Sequence, residues 1–125
     1  MKEIISTEKA PAAIGPYSQA TSYNNIIYCS GQIPLDPQTM QIVGEDVTTQ
    51  AKQVMKNLEA VLAAAGSDFS KVLKCSIFLD SMDDFGAVNE VYGGYFTENP
   101  PARETVAVQT LPKNVLVEIS CIAYK

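Results

Sequence analysis

The sequence predicts an α+β protein in which two helices cover one face of a mixed β-sheet. Two segments carry apolar residues at helical spacing, and six other segments have the composition of strands. Their order along the chain is strand, strand, strand, helix, strand, helix, strand, strand. Two helices among that many strands, with early strands joined by turns as short as YNN, favour helices gathered on one face of the sheet.

Three strands are predicted before the first helix and three after it. Each is a short run rich in β-branched, aromatic or other apolar residues and bounded by turn residues. In chain order the six runs are KEII, YSQATSY, NIIYCSG, KVLKCSIFL, ETVAVQ and VLVEISCIAY.

The first helix is predicted over DVTTQAKQVMKNLEAVLAAAG. Asp46 is placed to cap its first turn, and Gly66 is placed to end it in the left-handed conformation. One apolar stripe follows the helical period and predicts a helix that faces the core. Its members are Val47, Ala51, Val54, Met55, Leu58, Val61, Leu62 and Ala65.

The second helix is predicted to begin after SMDD, where Ser81 and Asp84 have the spacing of a capping box. Along one side it carries Phe85, Val88, Tyr92 and Phe96. Gly93 and Gly94 disfavour a helix interior by about 1 kcal/mol each relative to alanine, so they predict close packing or an early end to this helix.

The fourth and last predicted strands, KVLKCSIFL and VLVEISCIAY, are apolar on both alternating faces. A sheet face that no helix covers therefore needs another cover, and a second subunit is the simplest one. The composition agrees, because 46% hydrophobic residues with only 18% charged residues is an apolar balance for a solvated monomer.

The net charge and the N-terminal sequence limit the kinds of binding partner and the location that we expect. A formal net charge of −5 argues against nucleic-acid binding, which requires clustered basic residues to displace counterions. The N-terminus lacks the apolar core of a signal peptide, and no apolar run reaches the roughly 20 residues that span a bilayer. We expect a cytoplasmic protein that does not bind membranes.

The cysteines and the missing histidine narrow the chemistry. Cys29, Cys75 and Cys121 are odd in number and lie in apolar strand-like runs, which predicts reduced, buried thiols. The chain has no histidine. It therefore lacks the commonest metal ligand and any Ser-His or Cys-His nucleophile pair, which excludes most hydrolase mechanisms.

Arg103 is the only arginine, and it follows two prolines just before a predicted strand. A guanidinium differs from an ammonium in its planar fork of donors, which matches a carboxylate in a bidentate way. Glu118 interrupts the apolar run of the last strand. If the two strands pair, these residues form a structural salt bridge; alternatively, Arg103 binds an acid substrate while Glu118 positions or activates a water nearby.

Two turns supply weaker candidates. Tyr17 follows a Gly-Pro turn, and Ser30 and Gly31 follow a strand, where glycine allows a ligand to approach the backbone closely. Turns with these residues are mostly structural.

Six motifs occur in order across nearly the whole chain, and together they resemble the RidA (YjgF-type) reactive-intermediate deaminase family. They are APAAIGPYSQA, SGQIPLDP, NLEAVLAAAG, FGAVNEVYGGYF, PARETVAV and LPKNVLVEISCIA. The resemblance implies a single RidA-like domain over residues 1–125 with a chorismate-mutase-like fold. It also implies a homotrimer with a central barrel and with ligand clefts between subunits.

The resemblance further implies a 2-iminobutanoate/2-iminopropanoate deaminase that needs no cofactor. Such enzymes hydrolyse the imines of 2-aminoacrylate and 2-aminocrotonate, which pyridoxal-phosphate-dependent dehydratases release, to 2-keto acids and ammonia. By position, Arg103 matches the arginine that binds the substrate carboxylate, and Glu118 matches the glutamate near the attacking water. The other matching pocket residues are Tyr17, Ser30, Gly31, Asn89 and Thr105, the last standing where many members have cysteine.

Three other functions remain open on the sequence. The same pocket suits a non-catalytic regulatory module that senses 2-keto acids. An endoribonuclease or translation inhibitor is disfavoured by the acidic charge and the absence of histidine. A holdase chaperone has only the apolar content in its favour.

Overall fold

The computed structural model of the protein describes all 125 residues and contains six strands and two α-helices in the predicted order. The strands are β1 (Glu3–Ile5), β2 (Ala20–Tyr23), β3 (Ile26–Gln32), β4 (Val72–Leu79), β5 (Ala102–Ala107) and β6 (Val117–Tyr124). The helices are α1 (Val47–Ala64) and α2 (Phe85–Gly93). The predicted α+β class is confirmed.

The six strands form one mixed sheet in the order β1-β2-β3-β6-β4-β5. Only β4 and β5 are parallel, and all other neighbours are antiparallel. Parallel neighbours require a crossover connection, and α2 lies within it. The crossover therefore brings α2 to the β4–β5 edge of the sheet.

Helix α1 has the ends that the sequence predicts. The Asp46 side chain accepts a hydrogen bond from the Thr49 backbone N–H at 3.0 Å, and Gly66 has a φ of +80° just after the helix. The apolar stripe is buried as expected. The stripe packs against the sheet and supplies eight of the 23 residues of the hydrophobic core.

Helix α2 begins at Phe85 as predicted, but the capping box does not form. The Ser81 hydroxyl accepts from the Asp83 N–H at 3.1 Å and caps a short 3₁₀ turn, Met82–Asp84, that precedes the helix. Asp84 makes no side-chain cap, because the chain is already turning at that residue. The helix ends at Gly93, so Phe96 lies beyond it and not along its side.

Several predicted strands have shifted ends, and the largest shifts are in β2 and β5. β2 begins at Ala20 and not at Tyr17, because the Gln19 side chain turns inward and binds the N-terminal segment instead. Its amide donates to the carbonyls of Ala10 and Pro11 and accepts from the Thr7 N–H. β5 begins at Ala102, directly after the two prolines, so Arg103 lies inside the strand.

The alternating burial of the side chains on β6 distinguishes the two faces of the sheet. Val117, Ile119, Cys121 and Ala123 are buried under the helices. The alternate residues of β6 point to the opposite side, which we call the open face because no element of the chain covers it. Large apolar side chains that are 41–59% exposed lie there: Ile4, Tyr23, Tyr28, Val106 and Tyr124.

The three cysteines lie side by side on β3, β6 and β4, where Cys121 is paired in register with both Cys29 and Cys75. All three are free and buried, as predicted. Burial raises the pKa of the Cys75 thiol to about 11. None of the helices is long and apolar enough to cross a membrane.

Candidate functional site

Arg103 lies on edge strand β5, on the side of the sheet that the helices cover. It is paired in register with Cys75, so its side chain points to the same face as that buried thiol. The crossover places α2 beside it. The Arg103 Nη1 donates to the Asn89 Oδ1 at 2.5 Å, and its Cζ lies 5.4 Å from the Phe85 ring centroid and 5.2 Å from that of Tyr92.

An open cleft of about 400 Å³ adjoins this guanidinium. Pro100 and Pro101, which precede β5, form part of the wall of this cleft. Their fixed φ angles restrict the path of the chain just before the strand. The cleft is lined by Asn89, Tyr92, Gly93, Phe96, Pro100, Pro101 and Arg103. A small molecule that enters it meets a cation surrounded mainly by apolar and aromatic surface.

No carboxylate of the chain pairs with Arg103. The only salt bridges join Lys74 to Glu104 at 3.2 Å and Lys125 to Glu3 at 3.0 Å. An arginine presents five N–H donors, and Asn89 takes one of them. The remaining donors are available for an acid group that comes from outside the protomer.

Thr105 lies two residues after Arg103 on β5, and its side chain therefore points to the same face. It is paired in register with the buried Ile77. The Thr105 Oγ1 is buried and has no hydrogen-bond partner. Buried hydroxyls normally have a partner, so this one has capacity for a ligand or an ordered water. We call Arg103, Asn89 and Thr105 the Arg103 half-site.

Glu118 lies on β6 and points to the open face. It is paired in register with Phe78, three residues from the Cys75–Cys121 pair. Its carboxylate rests against Gly31 of β3: a Cβ added to that glycine would lie 2.9 Å from the Glu118 Cδ. Partial burial raises the pKa of the Glu118 carboxyl, and neither salt bridge of the chain includes it.

The neighbourhood of Glu118 contains the remaining predicted residues. The Ser30 Oγ donates to the Ser18 carbonyl at 2.6 Å and its N–H donates to the Gln19 carbonyl at 2.9 Å, which fixes the preceding loop against β3. Tyr17, on that loop, is half exposed and lines a cavity of about 260 Å³ together with Gly31. We call Glu118, Gly31, Ser30 and Tyr17 the Glu118 half-site.

The two half-sites lie on opposite faces of the sheet. Arg103 is paired in register with Cys75, and Cys75 with Cys121, so Arg103 points to the same face as Cys121. Glu118 lies three residues from Cys121 on β6. Side chains an odd number of residues apart on a strand point to opposite faces. Strand β4 also separates β5 from β6. The salt bridge that pairing of those two strands would allow therefore does not exist.

Two features of the site were not anticipated from the sequence. Phe85 and Tyr92 have the spacing of a core-facing stripe, and nothing local shows that their rings also contact Arg103. Gln19 organises the segment before Tyr17 through its buried amide. A buried glutamine in a strand-like run has no distinctive sequence signal, because such runs also carry glutamine on solvated faces.

Known proteins resemble the whole chain. A family model described as endoribonuclease L-PSP matches residues 7–125. A mouse 2-iminobutanoate/2-iminopropanoate deaminase is 50% identical over 123 residues, which cover 98% of this chain and 91% of the mouse protein. A putative regulator AldR of Lactococcus lactis is 50% identical over 121 residues, 97% of this chain and 96% of the regulator.

Two solved structures have the same fold. A putative endoribonuclease from Thermotoga maritima superposes with a TM-score of 0.97 at 48% identity, covering 100% of this chain and 98% of that one. E. coli TdcF with bound serine gives a TM-score of 0.93 at 40% identity, with 98% of both chains covered. The chain therefore belongs to the endoribonuclease L-PSP family, the family of the RidA-type proteins whose motifs its sequence carries.

Proposed function

We propose that this chain is a deaminase that hydrolyses reactive 2-imino acids, and the enamines that tautomerise to them, to 2-keto acids and ammonia. Its substrates would come from pyridoxal-phosphate-dependent dehydratases acting on serine and threonine. The mouse relative named as a 2-iminobutanoate/2-iminopropanoate deaminase, at 50% identity, supports this activity.

The observation that carries the proposal is the unpaired guanidinium of Arg103 at an open cleft. A cation with no counterion in its own chain favours an anionic ligand, and the planar fork favours a carboxylate over other small anions. Every 2-imino acid carries that carboxylate next to its reactive carbon. Binding the carboxylate therefore positions the imine.

The chemistry requires a placed water and proton transfer, but no charged nucleophile. Water attacks the carbon of the protonated imine and gives a proton to the Glu118 carboxylate. The product of this step is a tetrahedral carbinolamine. Glu118 then returns the proton to the nitrogen, and the C–N bond breaks to release ammonia. As the keto group forms, the hydroxyl gives its proton to the Glu118 carboxylate, which can then protonate the next imine. Orientation and proton transfer each contribute roughly 10²-fold or more to such a reaction.

The raised pKa of Glu118 suits this role. Partial burial disfavours its charged form, so the carboxylate is a stronger base than an exposed glutamate. Gly31 leaves room for the carboxylate against the β3 backbone. A water bound between Glu118 and the substrate would be held by these groups.

Arg103 and Glu118 serve one reaction only if they come from different protomers, because they lie on opposite faces of the sheet. We propose a homotrimer in which each cleft combines the Arg103 half-site of one protomer with the Glu118 half-site of its neighbour. The exposed apolar side chains of the open face support burial between subunits. A closed ring of identical contacts creates one such cleft at each interface.

A coupled assay tests the activity. Threonine or serine dehydratase generates the imine in Tris-free buffer, and release of the 2-keto acid is followed with wild type and with Arg103→Ala. We expect acceleration by wild type alone. Equal acceleration by both proteins would exclude Arg103 from the reaction, and acceleration by neither would exclude the deaminase.

Mixing two inactive variants tests the shared cleft. Arg103→Ala and Glu118→Gln each destroy one half-site, but a mixed trimer contains one interface at which both halves are intact. Random reassembly of equal amounts should restore about a quarter of the wild-type activity. Recovery should require subunit exchange, so the same proteins mixed without prior dissociation are the control. No recovery after verified exchange would contradict a shared cleft.

A regulatory binding module is the second candidate, and the relative named as a putative regulator AldR favours it. The same half-sites would then bind a 2-keto acid without turnover. Carboxylate binding that depends on Arg103, with no faster imine hydrolysis, would select this function.

The endoribonuclease description of the family model fits this chain less well. The net charge is −5 and no histidine is present to act in general acid–base catalysis. Cleavage of RNA that persists in highly purified protein and after Arg103→Ala would support a nuclease independent of the cleft.

A further inference from the structure

Three side chains contact the guanidinium of Arg103, and all three come from α2. Asn89 accepts a hydrogen bond from Nη1, and the rings of Phe85 and Tyr92 lie 5.4 Å and 5.2 Å from Cζ. Their spacing, i, i+4 and i+7, places them on one side of a helix. One face of α2 is therefore the surface on which the guanidinium rests.

The Arg103 side chain needs such a surface because little else holds it. The residue is exposed on an edge strand and has no ion pair. An exposed arginine samples many rotamers, and a ligand that binds it must order the whole side chain. Contacts made before the ligand arrives reduce that cost.

We propose that Phe85 and Tyr92 are positioning residues, whose rings hold the planar guanidinium of Arg103 so that its free N–H donors face the cleft. The effect of this contact on catalysis rests on the proposed function. The orientation of the Arg103 guanidinium, however, is a property of the protein without ligand. It adds a requirement to the carboxylate-binding role of Arg103: the guanidinium must be held against the two rings as well as be present.

The hydroxyl of Tyr92 has no part in this role. Its oxygen is buried, and burial and then the neighbouring Cys75 thiol raise the Tyr92 pKa, so the group stays neutral. The ring is what contacts the cation. Tyr92→Phe is consequently a matched control, since it removes the hydroxyl and keeps the ring, whereas Tyr92→Leu removes the ring and keeps apolar volume.

Phe69 provides a second control. It packs against Tyr95 and Phe96 with ring centroids 5.0 Å and 5.4 Å away, but it is not among the rings over Arg103. Phe69→Leu therefore removes an aromatic ring from the same part of the core without touching the guanidinium. Effects of general loosening should appear in this variant too.

Because Arg103 is the only arginine, its Nε–Hε group gives a single arginine side-chain signal in a ¹H–¹⁵N NMR spectrum of the intact protein. We expect a ring-current shift of this signal in wild type, Tyr92→Phe and Phe69→Leu. In Phe85→Leu and Tyr92→Leu the signal should move toward the position of a free arginine. A wild-type signal already at that position would overturn the inference even if the variants do not fold.

Titration of the same signal with 2-oxobutanoate measures the consequence for carboxylate binding. Loss of either ring should weaken binding roughly 3- to 10-fold, the range expected for loss of one cation–π contact, while Tyr92→Phe and Phe69→Leu bind like wild type. Unchanged affinity in both leucine variants would make Phe85 and Tyr92 purely structural. If the coupled assay shows no deaminase activity, the proposed function fails, and the position of the signal still decides the orientation.

Discussion

Arg103 combines three properties that a lysine at the same position would not have. Its fork of donors matches a carboxylate, its planar cation lies over the rings of Phe85 and Tyr92, and its Nη1 reaches Asn89 while other donors remain free. An ammonium is a compact charge with three donors on a flexible chain. The side chain is therefore suited to binding an acid in one orientation.

Arg103→Lys tests this at the level of a single residue. We expect kcat/KM for imine hydrolysis to fall roughly 10- to 100-fold, because bidentate hydrogen bonds to a charged group are lost. The melting temperature should change little, since Arg103 is exposed and has no ion pair. Activity near the wild-type level would contradict a bidentate role.

Glu118 gives a prediction for stability. Its pKa in the folded protein is raised above the ordinary value of 4.5 by burial. The stability that such a group contributes is present below its unfolded pKa and is lost as the pH rises through its folded pKa. At neutral pH the ionised carboxylate therefore lowers the stability of the fold, and we propose that the residue is present for catalysis.

Glu118→Gln should accordingly raise the melting temperature at pH 7 while it lowers activity, and the gain in stability should vanish below pH 4.5. Glu104→Gln is the control of opposite sign. The Ser76 hydroxyl and then Lys74 lower the pKa of Glu104, so the ionised carboxylate stabilises the fold at neutral pH. Glu104→Gln should therefore lower the melting temperature slightly at that pH. Thermal melts at fixed protein concentration, from below pH 4.5 to pH 7, measure both variants against wild type. An unchanged melting temperature of Glu118→Gln at pH 7 would contradict the prediction.

At the scale of elements, the positions of the site residues follow from two pieces of geometry. The parallel β4–β5 pair requires a crossover, and this crossover brings α2 to Arg103. On the other face, Gly31 of β3 allows the Glu118 side chain of β6 to lie against the β3 backbone.

Gly31→Ala tests the second of these. The new Cβ would lie 2.9 Å from the Glu118 Cδ, so the carboxylate must move. We expect the fold to persist, because the group displaced is the end of a flexible side chain, and we expect kcat to fall about 10-fold or more because general acid–base catalysis depends on position. Circular dichroism establishes folding and the coupled assay measures kcat; unchanged kcat would place the working position of Glu118 elsewhere.

Helices, strands and their order were predictable because the periodicities are local and strong, as in the stripe of α1. The capping box at Ser81 failed because a 3₁₀ turn satisfies the same hydroxyl one residue earlier. The assignment of Arg103 and Glu118 to opposite faces was not predictable. It depends on the sheet order and on the register through β4, which are long-range properties that spacing along the chain does not encode.

At the scale of the whole molecule, the open face is the surface at which we propose that a second subunit binds. Tyr28 is 51% exposed and is paired in register with Ile122 on β6, well inside the sheet. Large apolar side chains exposed on one face of a folded sheet are typical of a subunit interface.

Tyr28→Lys should weaken assembly and remove deaminase activity while each protomer stays folded, because a lysine buried between subunits loses its hydration. Ala63→Lys, on the exposed surface of α1, is the control and should change neither. Sedimentation velocity reports the assembly and circular dichroism reports the fold. A fully active, dissociated Tyr28→Lys protomer would contradict the shared cleft.

The division of the half-sites between two faces also limits where this sequence is free to change. In a chain of 125 residues, one reaction would place demands on both surfaces of the only sheet and on the side of α2 that contacts Arg103. The outward surface of α1, with Lys52, Glu59 and Ala63, carries neither half-site. Substitutions should therefore be tolerated best on that outward surface, whereas an insertion in any strand should be harmful whichever way its side chains point.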